Sequence, residues 1–448
     1  MFVNRKKEIK DLENLYANDQ NNVAILYGRF GIGKTELVKK FIADKPFVYY
    51  RASELSSREQ SFACSIALTG NEAPLSLYDS LAYAIRKNMR PEKKIVVVLD
   101  EFQSLVDFRL EESVVKILSA FKGIEHVMFL LVSSSVRWIE NTLVDDAPYI
   151  AKLTSAFIKV RDFSFTQMVS RLDKLETRDV IVASAILGGV PRYLDYWRQE
   201  KTPEENIMSM FLTKNSVFLN EAEFFLKQEL RELSAYNAIL SALAGGRIKL
   251  NDLYSRTGFS RAKISVYIKN LTELDVVEKV FSYDEGDSTN VQKGLYRIKD
   301  NFLRFYYRFI YPNMTLIELS KGKEVYETKI APYLDEFMRE AYRDVSFEYL
   351  KLTSEGKGRV LDNYETWYGK NGIIDIVARD NNGKVIVGIC DLKSEKTKTT
   401  VIDALEELLN ISGIAANEIH FFSNHGFTQD FINAAKEKKY GFVSIDEL

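Results

Sequence analysis

The first third of the chain alternates short apolar runs with segments whose apolar residues return every three or four positions. VAILYG, PFVYYRA, KKIVVVLDE and HVMFLLVSSS are the runs, and TELVKKFIAD is a helical pattern between the first two. Runs rich in Val, Ile and Leu without polar alternation suit strands buried on both faces, as in a parallel sheet covered by helices. Residues 1–163 therefore read as an α/β unit. From 164 to 232 the strands stop, and TQMVSRLDKL, RDVIVASAILGG and PEENIMSMFL keep helical spacing, which predicts a small helical lid.

Residues 233–312 change pattern again. AYNAILSALAGG, IKLNDLYSRTG and SRAKISVYIKNLTELD read as three short helices, with Gly258 ending the second and Ser260 capping the third. VVEKVFSY and GLYRIKD, separated by the polar DEGDSTN, complete a hairpin. Three helices and a hairpin are the layout of a winged helix-turn-helix. Just beyond, in NFLRFYYRFIYPN, Phe302, Phe305, Tyr306 and Phe309 at helical spacing read as core rather than as a base-stacking platform. Residues 313–448 open with helices and continue through IIDIVARD, NNGK, VIVGICDLK, VIDALEELLN and EIHFFSN, a second α/β region.

Composition narrows the function classes. Among 448 residues, 61 Lys+Arg face 63 Asp+Glu, so no global field holds a polyanion, and any nucleic-acid contact must come from a local basic face. Cys64 and Cys390 stand apart, and with His126, His420 and His425 they supply neither a disulfide framework nor a zinc set. The start, MFVNRKKEIKDLENLY, has no apolar h-region, and the longest apolar runs, such as 95–99, are strand-sized. A soluble, cytoplasmic protein without membrane contact is expected.

Gly28-Arg29-Phe30-Gly31-Ile32-Gly33-Lys34-Thr35 is GxxxxGKT, placed between an apolar strand and a helix. Backbone N–H groups of such a turn and of the following helix start point at phosphate oxygens, which side chains at Gly31 and Gly33 would obstruct. Lys34 should bridge the β and γ phosphates of ATP, and Thr35, followed by Glu36, should hold Mg²⁺. The strand at 95–99 ends in Asp100-Glu101, where one acid suits Mg²⁺ and the other a polarised water.

With FVNRKKEI, GRFGIGKT, VVVLDEFQSL, LLVSSSVRWIE and GGVPRYL in this order, the chain resembles archaeal-type ATPases of the AAA+/STAND group. Many of these carry a winged helix and a C-terminal domain resembling PD-(D/E)xK nucleases. The resemblance implies that Phe2, Val3 and Arg5 lie near the adenine. It makes Ser134, within the run 133–135, the sensor residue after the fourth strand. Gly189, Val190 and Pro191 match the GxP turn, and Arg192 beside it is implied to reach the γ-phosphate.

The expected fold class is α/β: a P-loop NTPase parallel sheet with a helical lid, a winged helix-turn-helix and a C-terminal α/β restriction-endonuclease-like domain. On the winged helix, Arg256, Ser260, Arg261, Lys263 and Lys269 are placed to meet phosphates. Residues 234–300 hold ten Lys+Arg against eight Asp+Glu, a weak excess that fits DNA or a protein partner.

In the last domain Asp375 and Asp391-Leu392-Lys393 give D…DxK, two acids for Mg²⁺ and a lysine beside them. A two-residue loop at 382–383 would pair position 375 with 390 and put the aspartates on opposite faces. A three-residue loop at 381–383 pairs 375 with 389 and puts them on one face, and Gly383 sits where such loops want a left-handed residue. The resemblance makes Glu348 the first acid, with Glu340 and Asp344 as alternatives. It also places Ile374 where the family often has an acid, and Trp367-Tyr368 at a packing pair. The expectation is an ATP- and Mg²⁺-dependent switch coupled to a metal-dependent nuclease, for which the resemblance suggests a setting in defence or mobile-element biology. The alternative is an ATP-dependent DNA- or protein-binding regulator, with nucleic acid or further copies of itself as partners, whose nuclease-like domain is inactive.

Overall fold

The computed structural model describes residues 5–18, 22–70, 75–107, 109–121, 126–246, 248–283 and 294–448. They separate into two compact units, Met1–Asp162 with Val190–Arg192, and Phe163–Gly189 with Tyr193–Leu448. Phe2 and Val3 of the expected adenine motif lie outside the described residues, as does the polar loop at 284–290.

In the first unit the strands are β1 (Asn22–Tyr27), β2 (Phe47–Arg51), β3 (Ile95–Asp100), β4 (Val127–Ser133) and β5 (Ala156–Lys159), in the order β2-β3-β4-β1-β5. Every pairing is parallel. Every residue of β3 and β4 is buried, which explains why their sequences lack polar alternation. Val97, Leu99, Phe129 and Leu131 pack on one side with helices Leu77–Asn88 and Glu111–Phe121. Val96, Val98, Met128 and Leu130 pack on the other with helix Lys34–Ile42. Parallel strands all end at one edge, and β1 lies where the order reverses, the place where open α/β sheets form a ligand crevice.

The second unit begins with helices Phe165–Arg171, Thr177–Leu187, Pro203–Phe211 and Phe218–Lys227. Helices Leu233–Leu243, Leu250–Thr257 and Arg261–Glu273 follow, with a small antiparallel sheet of β6 (Ile248–Lys249), β7 (Val277–Val280) and β8 (Leu295–Ile298) in the order β6-β8-β7. Gly258 closes the second of these helices in the left-handed region, and the Ser260 hydroxyl caps the third by accepting from the Lys263 N–H. The aromatic stripe is core. Phe302 and Phe305 are fully buried, with ring centroids 4.7 Å from Tyr193 and 5.0 Å from Phe211 respectively.

A second five-stranded sheet comprises β9 (Leu361–Gly369), β10 (Gly372–Asp380), β11 (Val385–Asp391), β12 (Glu418–Ser423) and β13 (Gly441–Ser444), antiparallel from β9 to β11 and parallel from β11 to β13. Helices Thr400–Ser412 and Gln429–Glu437 contribute Ile402, Leu405 and Phe431 to the core on one face. The long helix Leu334–Glu355 meets the other face, where Cys390 Sγ donates to Ser346 Oγ. The hairpin has the register of a three-residue loop, with Ile376 opposite Gly388 and Gly383 at φ 81°. A register shift against β9 follows between Ile374 and Val377, a bulge that puts both of these residues into one core with Ile389. No helix among the described residues is long and apolar enough to cross a membrane.

Candidate nucleotide site and the C-terminal carboxylates

The loop after β1 is shaped by its glycines. Gly31 and Gly33 have φ of 80° and 90°, a region L side chains avoid, and Gly33 is the residue at the start of helix Lys34–Ile42. At Gly28 an added Cβ would stand 2.4 Å from the Val160 carbonyl oxygen, so the chain just after β5 packs directly against the loop backbone.

Lys34 is 6 % exposed, and its ammonium donates to the carbonyls of Gly28 at 2.7 Å and Arg29 at 3.1 Å. Burial lowers its pKa to about 8 against the pull of Glu101 and Asp100. Thr35 Oγ1 lies 3.4 Å from Asp100 Oδ2, which also accepts from the Tyr49 hydroxyl at 2.5 Å. The other Asp100 oxygen accepts from the Glu101 N–H. Glu101 itself holds φ 54°, so its carboxylate turns toward β4. There it accepts from Ser134 Oγ at 2.6 Å and from the Ser134 N–H at 3.3 Å, while Gln103 Nε2 donates to it at 2.6 Å. Of the three serines at 133–135, Ser134 is the one at the acid. Ser133 is buried and caps the Ser135 N–H.

Arg192 lies against this loop. Its N–H donates to the Gly31 carbonyl at 3.2 Å, its guanidinium sits 5.0 Å from the Phe30 ring centroid, and a Cβ on Gly31 would meet its side chain at 3.2 Å. Pro191 is 4.0 Å from the corresponding position on Gly33. Arg5, which the resemblance implied to lie near the adenine, is held by the backbone around the loop. It donates to the carbonyls of Ile32 and Arg161 and to Glu8, so it braces the loop from behind with its charge 5 % exposed. Arg29 pairs at 3.8 Å with Asp162, Ile32 points into the core, and the exposed Glu36 pairs with Lys39.

Tyr49 is the residue the sequence reading missed, with Arg51 two positions on at the end of β2, opposite Asp100. PFVYYRA was legible as a strand. What gives its tyrosine chemistry is the neighbour relation of β2 and β3, which no local pattern carries. Burial, with Asp100 adding to it, pushes the Tyr49 hydroxyl well above its ordinary pKa, so it stays a donor. Hard oxygen donors at Thr35 and Asp100, beside a glycine cradle, fit Mg²⁺ held with a triphosphate.

The C-terminal ligand set is corrected. The bulge after Ile374 turns Asp375 to the long-helix face, whereas Asp391, two residues from core-facing Ile389, takes the other face. Asp375 is fully buried and accepts from Arg339 at 3.1 and 3.0 Å, from Arg343 at 2.8 Å and from the Cys390 N–H at 3.0 Å. Burial alone would raise its pKa, but Arg343 and Arg339 together hold it below the ordinary carboxylate value. Asp391 accepts from Thr397 Oγ1 at 2.7 Å, and Lys393 is at most partly covered, with its N–H donating to Asp391. Glu348 is engaged elsewhere. Its two oxygens cap helix Phe165–Arg171, accepting from the N–H groups of Phe165 and Thr166 and from the Thr166 hydroxyl at 2.6 Å. The alternatives are engaged too, Glu340 by Arg297 and Arg304, and Asp344 by Tyr364.

On the helix Arg261–Glu273, Arg261 lies on the Tyr254 ring and Lys263 on Phe259, both at the exposed surface, while Lys269 pairs with Glu273. Arg256 is tied inward to the Ala242 carbonyl.

Residues 2–196 match the family model of an ATPase domain predominantly from Archaea, and residues 306–402 match one described as archaeal and bacterial proteins of unknown function. The chain thus carries an archaeal-type P-loop ATPase domain followed by a region of that second kind. An uncharacterized protein of Methanocaldococcus jannaschii is 26 % identical over 424 residues, covering 89 % of this chain and 90 % of its own. Among solved structures, the Walker-type ATPase of Pyrococcus abyssi is similar at 17 % identity and TM-score 0.47, over 68 % of this chain and 96 % of its own. The Aeropyrum pernix ORC2 protein in ADPNP–ADP complexes is similar at 16 % and 0.45, over 73 % and 95 %.

Proposed function

We propose that this chain is an ATP-hydrolysing switch of the AAA+/STAND type. Its output is carried by a winged helix, residues 233–312, and by a C-terminal domain, residues 313–448, that is nuclease-like in fold and inactive in cleavage. The observation that carries the reading is the gathering of Lys34, Thr35, Asp100, Glu101 and Ser134 at one edge of the first sheet, with Arg192 laid on the loop. Lys34 exchanges its two loop carbonyls for the β and γ phosphates of ATP. Thr35 and Asp100 hold Mg²⁺, which when bound offsets the charge developing on the phosphoryl oxygens. Glu101, oriented by Ser134 and Gln103, polarises the attacking water.

Val190–Arg192 belong to the first unit, whereas the residues before and after them belong to the second. A change at the γ-phosphate that moves Arg192 therefore pulls on both flanks of that segment, which is how nucleotide state reaches the output domains. The winged helix, with Arg261 and Lys263 outward, meets DNA or a protein partner, and assembly of several copies is part of the same reading. The inactivity of the last domain follows from Asp375, whose charge is already met by two guanidinium groups.

The test is phosphate release by the full chain with Mg²⁺ and ATP, run beside incubation with linear, circular and single-stranded DNA and RNA. Release that is lost in Lys34→Ala, with every nucleic acid intact, supports the reading. Metal-dependent cleavage abolished by Asp391→Ala overturns the inactive domain, and folded wild-type protein without saturable ATP binding overturns the switch.

A further inference from the structure

We infer that the second unit contains an anion site for a phosphoryl group, separate from the phosphate loop and outside the proposed switch. Two helical stretches each carry a pair of arginines one turn apart, Arg304 and Arg308 in the stripe that follows β8, and Arg339 and Arg343 in the long helix. Together with Arg297 of β8, all four line one cavity of about 330 Å³. Only two carboxylates, Glu336 and Glu340, share that lining. Asp375 meets Arg339 and Arg343 from outside it, and Glu278 meets Arg297. Asp344 acts on Arg297 and Arg343 as well, so the cluster as a whole is close to charge balance and the unmet capacity is local.

The unmet donors can be placed on particular atoms. Arg308 is half-buried and has no hydrogen bond or carboxylate partner among the described residues. Its nearest features are the Phe309 ring, 5.9 Å away, and the open backbone of Gly245, where an added Cβ would come within 3.7 Å of Nη1. Arg304, 9 % exposed, gives Nη1 to Glu340 and rests one face on the Phe337 ring at 4.5 Å. Its Nε and Nη2 have no acceptor among the described residues, and neither has Nε of Arg343.

Nε and Nη2 form the side-on edge of the guanidinium fork, the edge that matches two oxygens of one phosphate. A buried donor without an acceptor is costly, and because Arg304 lines the cavity, a small turn of its side chain would bring this edge to an anion held there. Ion pairing inside the protein accounts for Arg297 and for one edge of Arg304. It does not account for Arg308 or for the other edge. The volume is that of about ten water molecules, enough for one or two phosphoryl groups. A free diphosphate and the 5′-phosphate of a nucleic-acid strand share this chemistry.

The experiment uses the full chain carrying Lys34→Ala, without Mg²⁺, so that the phosphate loop does not compete. Calorimetric titration with inorganic diphosphate is expected to show saturable uptake of one per chain. Adding Arg308→Gln should weaken it about tenfold or more with the melting temperature unchanged. Arg304→Gln should remove it, and because that change also breaks the Glu340 pair, Arg308→Gln carries the decision. No saturable uptake by folded Lys34→Ala protein, or equal affinity in the Arg308→Gln variant, overturns the inference. A parallel arm compares 5′-phosphorylated with 5′-hydroxyl oligonucleotides. A preference for the former, lost in Arg308→Gln, assigns the site to strand ends, and diphosphate binding without that preference assigns it to a free phosphate; both results support the site.

Discussion

Asp100 and Asp375 are both aspartates buried in a five-stranded sheet, at 2 % and 0 % exposure, yet their surroundings make them different chemical objects. Asp100 ends β3 and accepts from uncharged donors, the hydroxyls of Tyr49 and Thr35 and a backbone N–H. Asp375 lies within β10 and accepts from two arginines and a backbone N–H. Neutral donors orient a carboxylate and leave its charge for a cation. Guanidinium groups use that charge, and a buried ion pair becomes part of the framework. On the proposed reading, the same residue type in the same kind of sheet is a ligand in one place and a structural anchor in the other.

The contrast breaks most visibly at Glu101, the acid next to Asp100 that is proposed to polarise the attacking water. Glu101→Gln should lower single-turnover ATP hydrolysis by about 10²–10⁴-fold while ATP binding persists. A loss of binding instead would assign Glu101 to ground-state contacts. On the other side, Arg343→Met should leave Asp375 with part of its charge unmet and destabilise the fold by about 3–5 kcal/mol in urea denaturation. ATP hydrolysis per folded chain should be unchanged.

Smaller effects sharpen the picture. Tyr49→Phe removes the hydroxyl that positions Asp100 and should raise the Mg²⁺ needed for half-maximal hydrolysis about 10–100-fold. Metal-free ATP binding, read by equilibrium dialysis, should not move. For Lys34 the sign follows from a pKa lowered from 10.5 to about 8 in the nucleotide-free protein. Between those values the unfolded chain binds the proton and the fold does not, so stability rises with pH across that window. ATP requires the ammonium form, so its affinity should fall as pH rises above about 8, by no more than about tenfold per unit. Lys34→Met should abolish the stability rise.

What was legible in the sequence was whatever depends on near neighbours. GxxxxGKT between a strand and a helix fixes its own backbone, and LDE at the end of an all-apolar strand fixes the acids at the sheet edge. Gly383 indicated a three-residue hairpin loop, and Ile376 does lie opposite Gly388. The inference drawn from that register still failed, because a bulge between Ile374 and Val377 reverses the face of Asp375, and nothing in IIDIVARD marks it. Glu348 was misassigned for a related reason. Its partners, Phe165 and Thr166, are about 180 positions away, and helix caps of that reach leave no local pattern. Tyr49 was missed because its role exists only once β2 lies beside β3.

The most direct test counts metal sites. Mn²⁺ titration followed by electron paramagnetic resonance, with and without a non-hydrolysable ATP analogue, should show one nucleotide-dependent site per chain. Asp100→Asn should remove that site and Asp391→Asn should leave it. A second Mn²⁺ that binds without nucleotide and disappears both in Asp391→Asn and in folded Asp375→Asn protein would make the C-terminal acids a metal centre and contradict the assignment of Asp375 as a structural anchor.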